Sequence, residues 1–159
     1  MIKTSAFIFF SFMFSTYVGA TESMISVESN YSTKVTADRL ESIIKEKGLT
    51  LFTRIDHQKN AAGIDLELRA TEVIIFGNPK VGTPLMQCAQ EVAIDLPQKV
   101  LIREDLKNKV WLSYNNPEYI RERHKIQGCD KVIDKISKVL NAVTTAAASK
   151  KSARNKLGI

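Results

Sequence analysis

Two glycines, an Asn-Pro pair and one lysine stand within six residues, Gly77-Asn78-Pro79-Lys80-Val81-Gly82, with Thr83-Pro84 directly behind them. An apolar run, Val73-Ile74-Ile75-Phe76, leads in, and a helix-like pattern leads out. A strand-to-helix turn of this composition can offer unpaired backbone N–H groups, which carry partial positive charge, to a phosphate or carboxylate. On that reading Gly77 and Gly82 let an anion approach, Lys80 adds a point charge, and Asn78 and Thr83 are polar contacts. It is not a Walker loop, because Lys80 precedes the second glycine and no Gly-Lys-Ser/Thr closes it. The competing reading gives the glycines unusual backbone angles and Thr83 a capping role only.

Other reactive residue types are sparse. Asp56-His57 pairs a carboxylate with an imidazole, the elements of a general base. Neighbours on a strand point to opposite faces, so a structural His57 at a strand end is the expectation, with an enzyme using His57 as general base the further alternative. His57 and His124 are the only histidines, and no carboxylate stands at a helical ligand spacing from them, so no metal site is expected. No Gly-x-Ser-x-Gly elbow exists, and Cys88 falls in an amphipathic stretch with no histidine nearby. No catalytic residue and no cofactor is assigned. Trp111, Tyr114 and Tyr119, near Asn115 and Asn116, serve equally as pocket rim or core. Cys88 and Cys129 are the only cysteines. An oxidising compartment would permit a disulfide between them, and two separate buried thiols fit as well.

The elements that must position these residues follow from periodicity. Met24–Ser29 alternates as a strand. Thr36 has the character of an N-cap, and Ala37, Leu40, Ile43 and Ile44 form one apolar stripe ending at Gly48. Leu49–His57 reads as a strand, 59–63 as a connection with one helical turn, and Thr71–Phe76 as a central strand buried on both sides. Beyond the turn, a Thr83 cap and Pro84 at the first helical position start a helix that runs to Val92. Residues 99–103 and 109–114 form a hairpin, Pro117 opens a short helix to His124, and after Gly128 an amphipathic helix capped by Asp130 carries Val132 to Val143. The order β-α-β-β-α-β-β-α-α points to an α+β domain, one antiparallel-leaning sheet with helices packed on one face.

The N-terminus has a different character. Lys3, the apolar run Ala6–Phe14 and the small residues Val18-Gly19-Ala20 have the form of a cleaved signal peptide, residues 1–20, with the cut before Thr21. The run is far short of the ~20 residues a membrane span needs, and no span is expected elsewhere. The expectation is an exported protein, periplasmic or secreted, with one domain over 21–148 and a basic flexible tail over 149–159. The formal charge of +6 resides largely in Lys3 and the tail's Lys150, Lys151, Arg154 and Lys156. The folded body keeps about +1, too little for a nucleic-acid face.

Four blocks resemble one family: Thr53–His57, Phe76–Met86, Ala93–Pro97 and Tyr114–Tyr119. In that order they are similar to the domain-of-unknown-function 302 family, over about Ser26 to Ile126. The resemblance implies a TATA-binding-protein-like α+β fold and a homodimer, and it imports no reaction. Asn116 stands where the family usually has Asp, and Cys88 and Cys129 look like local additions. The function these readings favour is a non-catalytic domain binding a small anionic ligand through Gly77, Asn78, Lys80, Gly82 and Thr83. The alternative is a structural or homodimerisation module without a ligand.

Overall fold

A computed structural model describes residues 21–150. Five strands form one sheet: β1 (Met24–Ser29), β2 (Thr50–Asp56), β3 (Thr71–Gly77), β4 (Gln98–Glu104) and β5 (Val110–Asn115). Their spatial order is β1-β5-β4-β3-β2, and every neighbouring pair is antiparallel. Five helices accompany them: α1 (Thr33–Glu46), α2 (His57–Ala62), α3 (Pro79–Cys88), α4 (Pro117–Arg123) and α5 (Asp130–Ala148); a 3-10 turn spans Gln90–Ile94. The signal-peptide reading and most of the basic tail fall outside the described residues.

Strand alternation divides the sheet. Ile74 and Phe76 of β3, Val100 and Ile102 of β4, and Leu112 and Tyr114 of β5 are buried on one face. They meet the stripes of α1 (Ala37, Leu40, Ile44) and α5 (Ile133, Leu140, Val143), all buried. Residues one step along, such as Val73, Ile75 and Leu101, are only part-buried, so the two-sided burial expected of β3 is not reached. The helices cover one side of the sheet only. Burial pushes the Tyr114 phenol up, and a hydrogen bond with Thr144 works against that shift.

Several boundaries differ from expectation for local reasons. Ser32, not Thr36, caps α1 by accepting from the Val35 amide, while Thr36 is buried and bonded to Ser29 at 2.7 Å. Val35, before Thr36, is left exposed. Asp56 caps α2 by accepting from the Lys59 amide at 2.8 Å, which converts His57 from a strand end to a helix start. Cys129, not Asp130, is the N-cap residue of α5. At its far end α5 is closed by Arg39, whose guanidinium donates to the carbonyls of Ala146, Ala147 and Ser149 at 2.8–2.9 Å and stacks on Tyr31.

An ion network ties α1 to the sheet. Arg54 on β2 donates to Glu72 of β3 and to Asp38 of α1, with Glu41 3.6 Å away. Glu72 first and Asp38 after it raise the Arg54 guanidinium above its ordinary value, against the opposing effect of burial.

Candidate functional site

The Gly-rich segment does not begin its helix where sequence suggested. Asn78 is the N-cap, Pro79 opens α3, and Pro84 sits inside the helix rather than at its start. Asn78 Oδ1 accepts from the Lys80 amide at 2.9 Å, and the Asn78 carbonyl accepts from the amides of Val81 and Gly82 at 2.9 Å each. Pro79 has no amide to offer. Every backbone donor of this first turn is therefore missing or already used. Pro84 moreover cannot return an amide to the Lys80 carbonyl, which leaves acceptor rather than donor character there. The expectation of free amides awaiting an anion is corrected on this point. The glycines are corrected as well, since among the described residues the glycines with positive φ are Gly48 and Gly128, not Gly77 or Gly82.

What the turn does build is a hollow. A cavity of about 220 Å³ lies beside it, walled by Phe52 of β2, Val81 and Met86 of α3, Leu96 and Pro97, and Ile136 of α5. The neutral side chains of Asn78, Thr83 and Gln98 edge it, and no charged side chain lines it. Of the five residues singled out by sequence, Gly77, Asn78, Gly82 and Thr83 line this space; Lys80 is exposed and does not.

Gly77 sits between two walls of the hollow. A Cβ there would stand 3.4 Å from the Phe52 ring and 3.5 Å from Pro97, in ordinary van der Waals contact with both. Phe52 reaches the site because β2 skips a residue against β3 between Leu51 and Thr53. Such a bulge re-aims one side chain out of the strand alternation, and bulges concentrate beside binding sites. Phe52 stays 53% exposed, far more than a core phenylalanine.

The pair that sequence reasoning missed is Asp95 with His124. His124 Nε2 lies 2.5 Å from Asp95 Oδ2, with side chains only 8% and 12% exposed, and Arg123 reaches the same carboxylate at 3.3 Å. Lys99 donates to the carbonyls of Asp95 and Pro97 at 3.2 Å. These bonds grip the segment Asp95-Leu96-Pro97, whose last two residues form one wall of the hollow. The pair is 29 residues apart, so no local motif announces it.

His57 is part-buried on α2, its neighbour Asp56 is committed to capping, and the two form no dyad. Among the described residues, no group of three or more His, Cys, Asp or Glu side chains gathers as a metal would need. Cys88 and Cys129 are joined in a disulfide with Cα atoms 6.4 Å apart, linking the last residue of α3 to the residue preceding α5.

Comparison with known proteins places this geometry. The family described as Domain of unknown function DUF302 matches residues 25–143. Proteins named Fluoride-specific ion channel FluC 1 from Brucella suis biovar 1 (strain 1330) and Brucella abortus biovar 1 (strain 9-941) are 42% identical over 103 residues, 65% of this chain. The match spans only 41% and 38% of those relatives' lengths. The crystal structure of an uncharacterized conserved protein DUF302 from Bacillus stearothermophilus superposes with a TM-score of 0.72 at 15% identity, covering 80% of this chain and 99% of that one. At that identity the likeness speaks for the fold alone.

Proposed function

The chain belongs to the Domain of unknown function DUF302 family, and from that premise, which supplies a fold and no reaction, we propose that it is a non-catalytic domain binding a small, mainly apolar molecule in the hollow beside Gly77–Thr83. The carrying observation is a cavity of about 220 Å³ whose walls are carbon and whose edge holds three neutral polar side chains. Drug-sized ligands occupy cavities of about 300–1,000 Å³, so this one suits a single ring or a short aliphatic chain. Asn78, Thr83 and Gln98 would meet one polar group on it. The turn keeps its place as the binding element, and the ligand changes from an anion to a neutral or amphipathic molecule.

The test is titration of the full chain with a naphthylamine dye that brightens in apolar surroundings, followed by native mass spectrometry. Saturable one-to-one binding, displaced by short-chain alcohols or small aromatics, is expected. Dye that does not saturate, or that phosphate displaces and apolar competitors do not, would overturn the reading.

A specific observation favours a second reading, the homodimerisation module. Ile64, Leu66 and Leu68 alternate along the segment before β3 and are 68%, 61% and 43% exposed. Three large aliphatics in a row on one surface segment suit a second copy of the chain. The same mass spectra decide it, a purely monomeric mass at micromolar protein removing the dimer.

The relatives' name adds context. No helix among the described residues is long and apolar enough to cross a membrane. We therefore take the stretch shared with the fluoride-channel proteins as a part of them that does not span the bilayer, and ascribe no channel activity to this chain. Export follows from the residues 1–20 pattern. Sequencing the N-terminus of protein recovered from fractionated cells should start at Thr21, and an intact Met1 would refute cleavage.

A further inference from the structure

The two ends of the Cys88–Cys129 disulfide sit in unlike surroundings. Cys88 is exposed at the C-terminal end of α3, whereas Cys129 is 8% exposed and occupies the N-cap position of α5. That position lies at the positive end of a 19-residue helix. Its side chain makes no cap hydrogen bond; the amides of Val132 and Ile133 turn back to the Cys129 carbonyl, and those of Asp130 and Lys131 precede the first intrahelical acceptor. A thiolate released at Cys129 would find these donors beside it. The Asp130 carboxylate opposes that charge, but it is exposed and ion-paired to Arg121 at 3.2 Å.

We propose that this disulfide is an exchangeable crosslink that a dithiol reductant opens from the Cys88 side, and that its state sets the firmness of the hollow. A thiolate of the reductant attacks Cys88 Sγ, the sulfur of the exposed residue. The Cys88–Cys129 bond breaks and its electron pair leaves on Cys129 Sγ at the helix N-terminus, where a thiolate is stabilised and leaves faster. The reductant's second thiolate then attacks the mixed disulfide and releases Cys88. The reductant becomes a disulfide, its two electrons reside on the two cysteines, and its two protons complete their thiols. The reverse polarity is disfavoured by burial, since Cys129 Sγ lies beneath α3, 3.7 Å from the Pro84 carbonyl.

The consequence for binding rests on the apolar-ligand reading above; the exchange itself does not. Val81, Gly82, Thr83 and Met86 of α3 form one side of the hollow and Ile136 of α5 the other. The crosslink is the covalent tie between those sides, so opening it frees the end of α3 to move away from α5.

Intact-mass counting of maleimide-labelled thiols on the full chain tests the exchange. Under native conditions dithiothreitol should liberate both thiols without unfolding seen by circular dichroism. A limiting monothiol should be trapped as an adduct on Cys88, identified by peptide mass. A disulfide reduced only after denaturation, or an adduct confined to Cys129, overturns the proposal. Single-cysteine variants give a second readout: Cys129 in C88S should alkylate with a midpoint at lower pH than Cys88 in C129S, and equal or inverted midpoints refute the helix-end argument. The dye should bind the reduced protein several-fold more weakly than the oxidised one. Unchanged affinity removes the coupling, whereas an oxidised protein that binds no dye condemns the hollow and leaves thiol counting to judge the exchange.

Discussion

Gly82→Leu separates binding from stability because the two should move in opposite directions. Gly82 lies inside α3 without a positive φ, so a side chain there is unstrained. The nearest atom to its Cβ would be Leu96 Cδ1 at 3.8 Å, an ordinary contact, with the hollow open beyond. Replacing glycine by leucine in a helix gains up to about 1 kcal/mol of propensity, and covering part of the apolar wall adds to it. For a domain of this size a gain near 1 kcal/mol raises the Tm by about 3–5 °C. The same side chain occupies ligand space, so dye affinity should fall at least about tenfold, roughly 1.4 kcal/mol. Differential scanning calorimetry and dye titration on one preparation read both. A variant that melts later and binds poorly supports the hollow. One that melts later and binds as before refutes it, and one that melts earlier refutes the geometry at Gly82.

Lys80→Ala should leave dye affinity unchanged, because its side chain is exposed and does not line the cavity; a loss would revive the anion reading. Asn78→Ala removes the acceptor of the Lys80 amide and should cost about 1 kcal/mol by urea unfolding. Arg54→Ala strands Glu72, whose side chain is 10% exposed, and should cost about 3 kcal/mol, the bottom of the range for breaking a buried pair. Asp38 is held below its usual 3.8 by Lys34 and then Arg54, and Glu41 below its usual 4.5 by Lys45. Both carboxylates bind protons more readily when unfolded, so their stabilisation is full above about pH 4.5 and drains away as pH falls through the lower folded values. A urea midpoint that is flat from neutrality down to that point and then declines is expected; one that rises on acidification contradicts the network.

The sheet was legible because its signal is repeated in every strand. Val-Ile-Ile-Phe, the hairpin over residues 99–114 and the α5 stripe each state their element with several residues. The turn before α3 was misread because two capping signals overlap there. Asn78-Pro79 and Thr83-Pro84 are both a polar cap followed by proline, and local pattern ranks them equally. The earlier one prevails since Asn78 closes three amide bonds, while Pro84 forfeits only one helical bond. At α1 the sequence pointed to Thr36, whereas the cap is Ser32, about one helical turn earlier. Phe52 could not be placed at the site, because a bulge is a property of two strands in register. Asp95 and His124 meet only after the chain has folded, and alternation or spacing carries no trace of that. The cavity's apolar character was written in Val81, Met86 and Leu96, but each was also a credible core residue.

The strand order has a consequence for how the molecule comes into being. Ser26 on β1 and Ser113 on β5 share a hydrogen bond across 87 residues of chain. During synthesis the first strand therefore has no neighbour until the fifth emerges, and the inner face, covered in part by α1, is completed by α5, whose end is clasped by an arginine made about a hundred residues earlier. A growing polypeptide of this design cannot close its sheet before β5 has been made, so the pairing of β1 is a late step of folding.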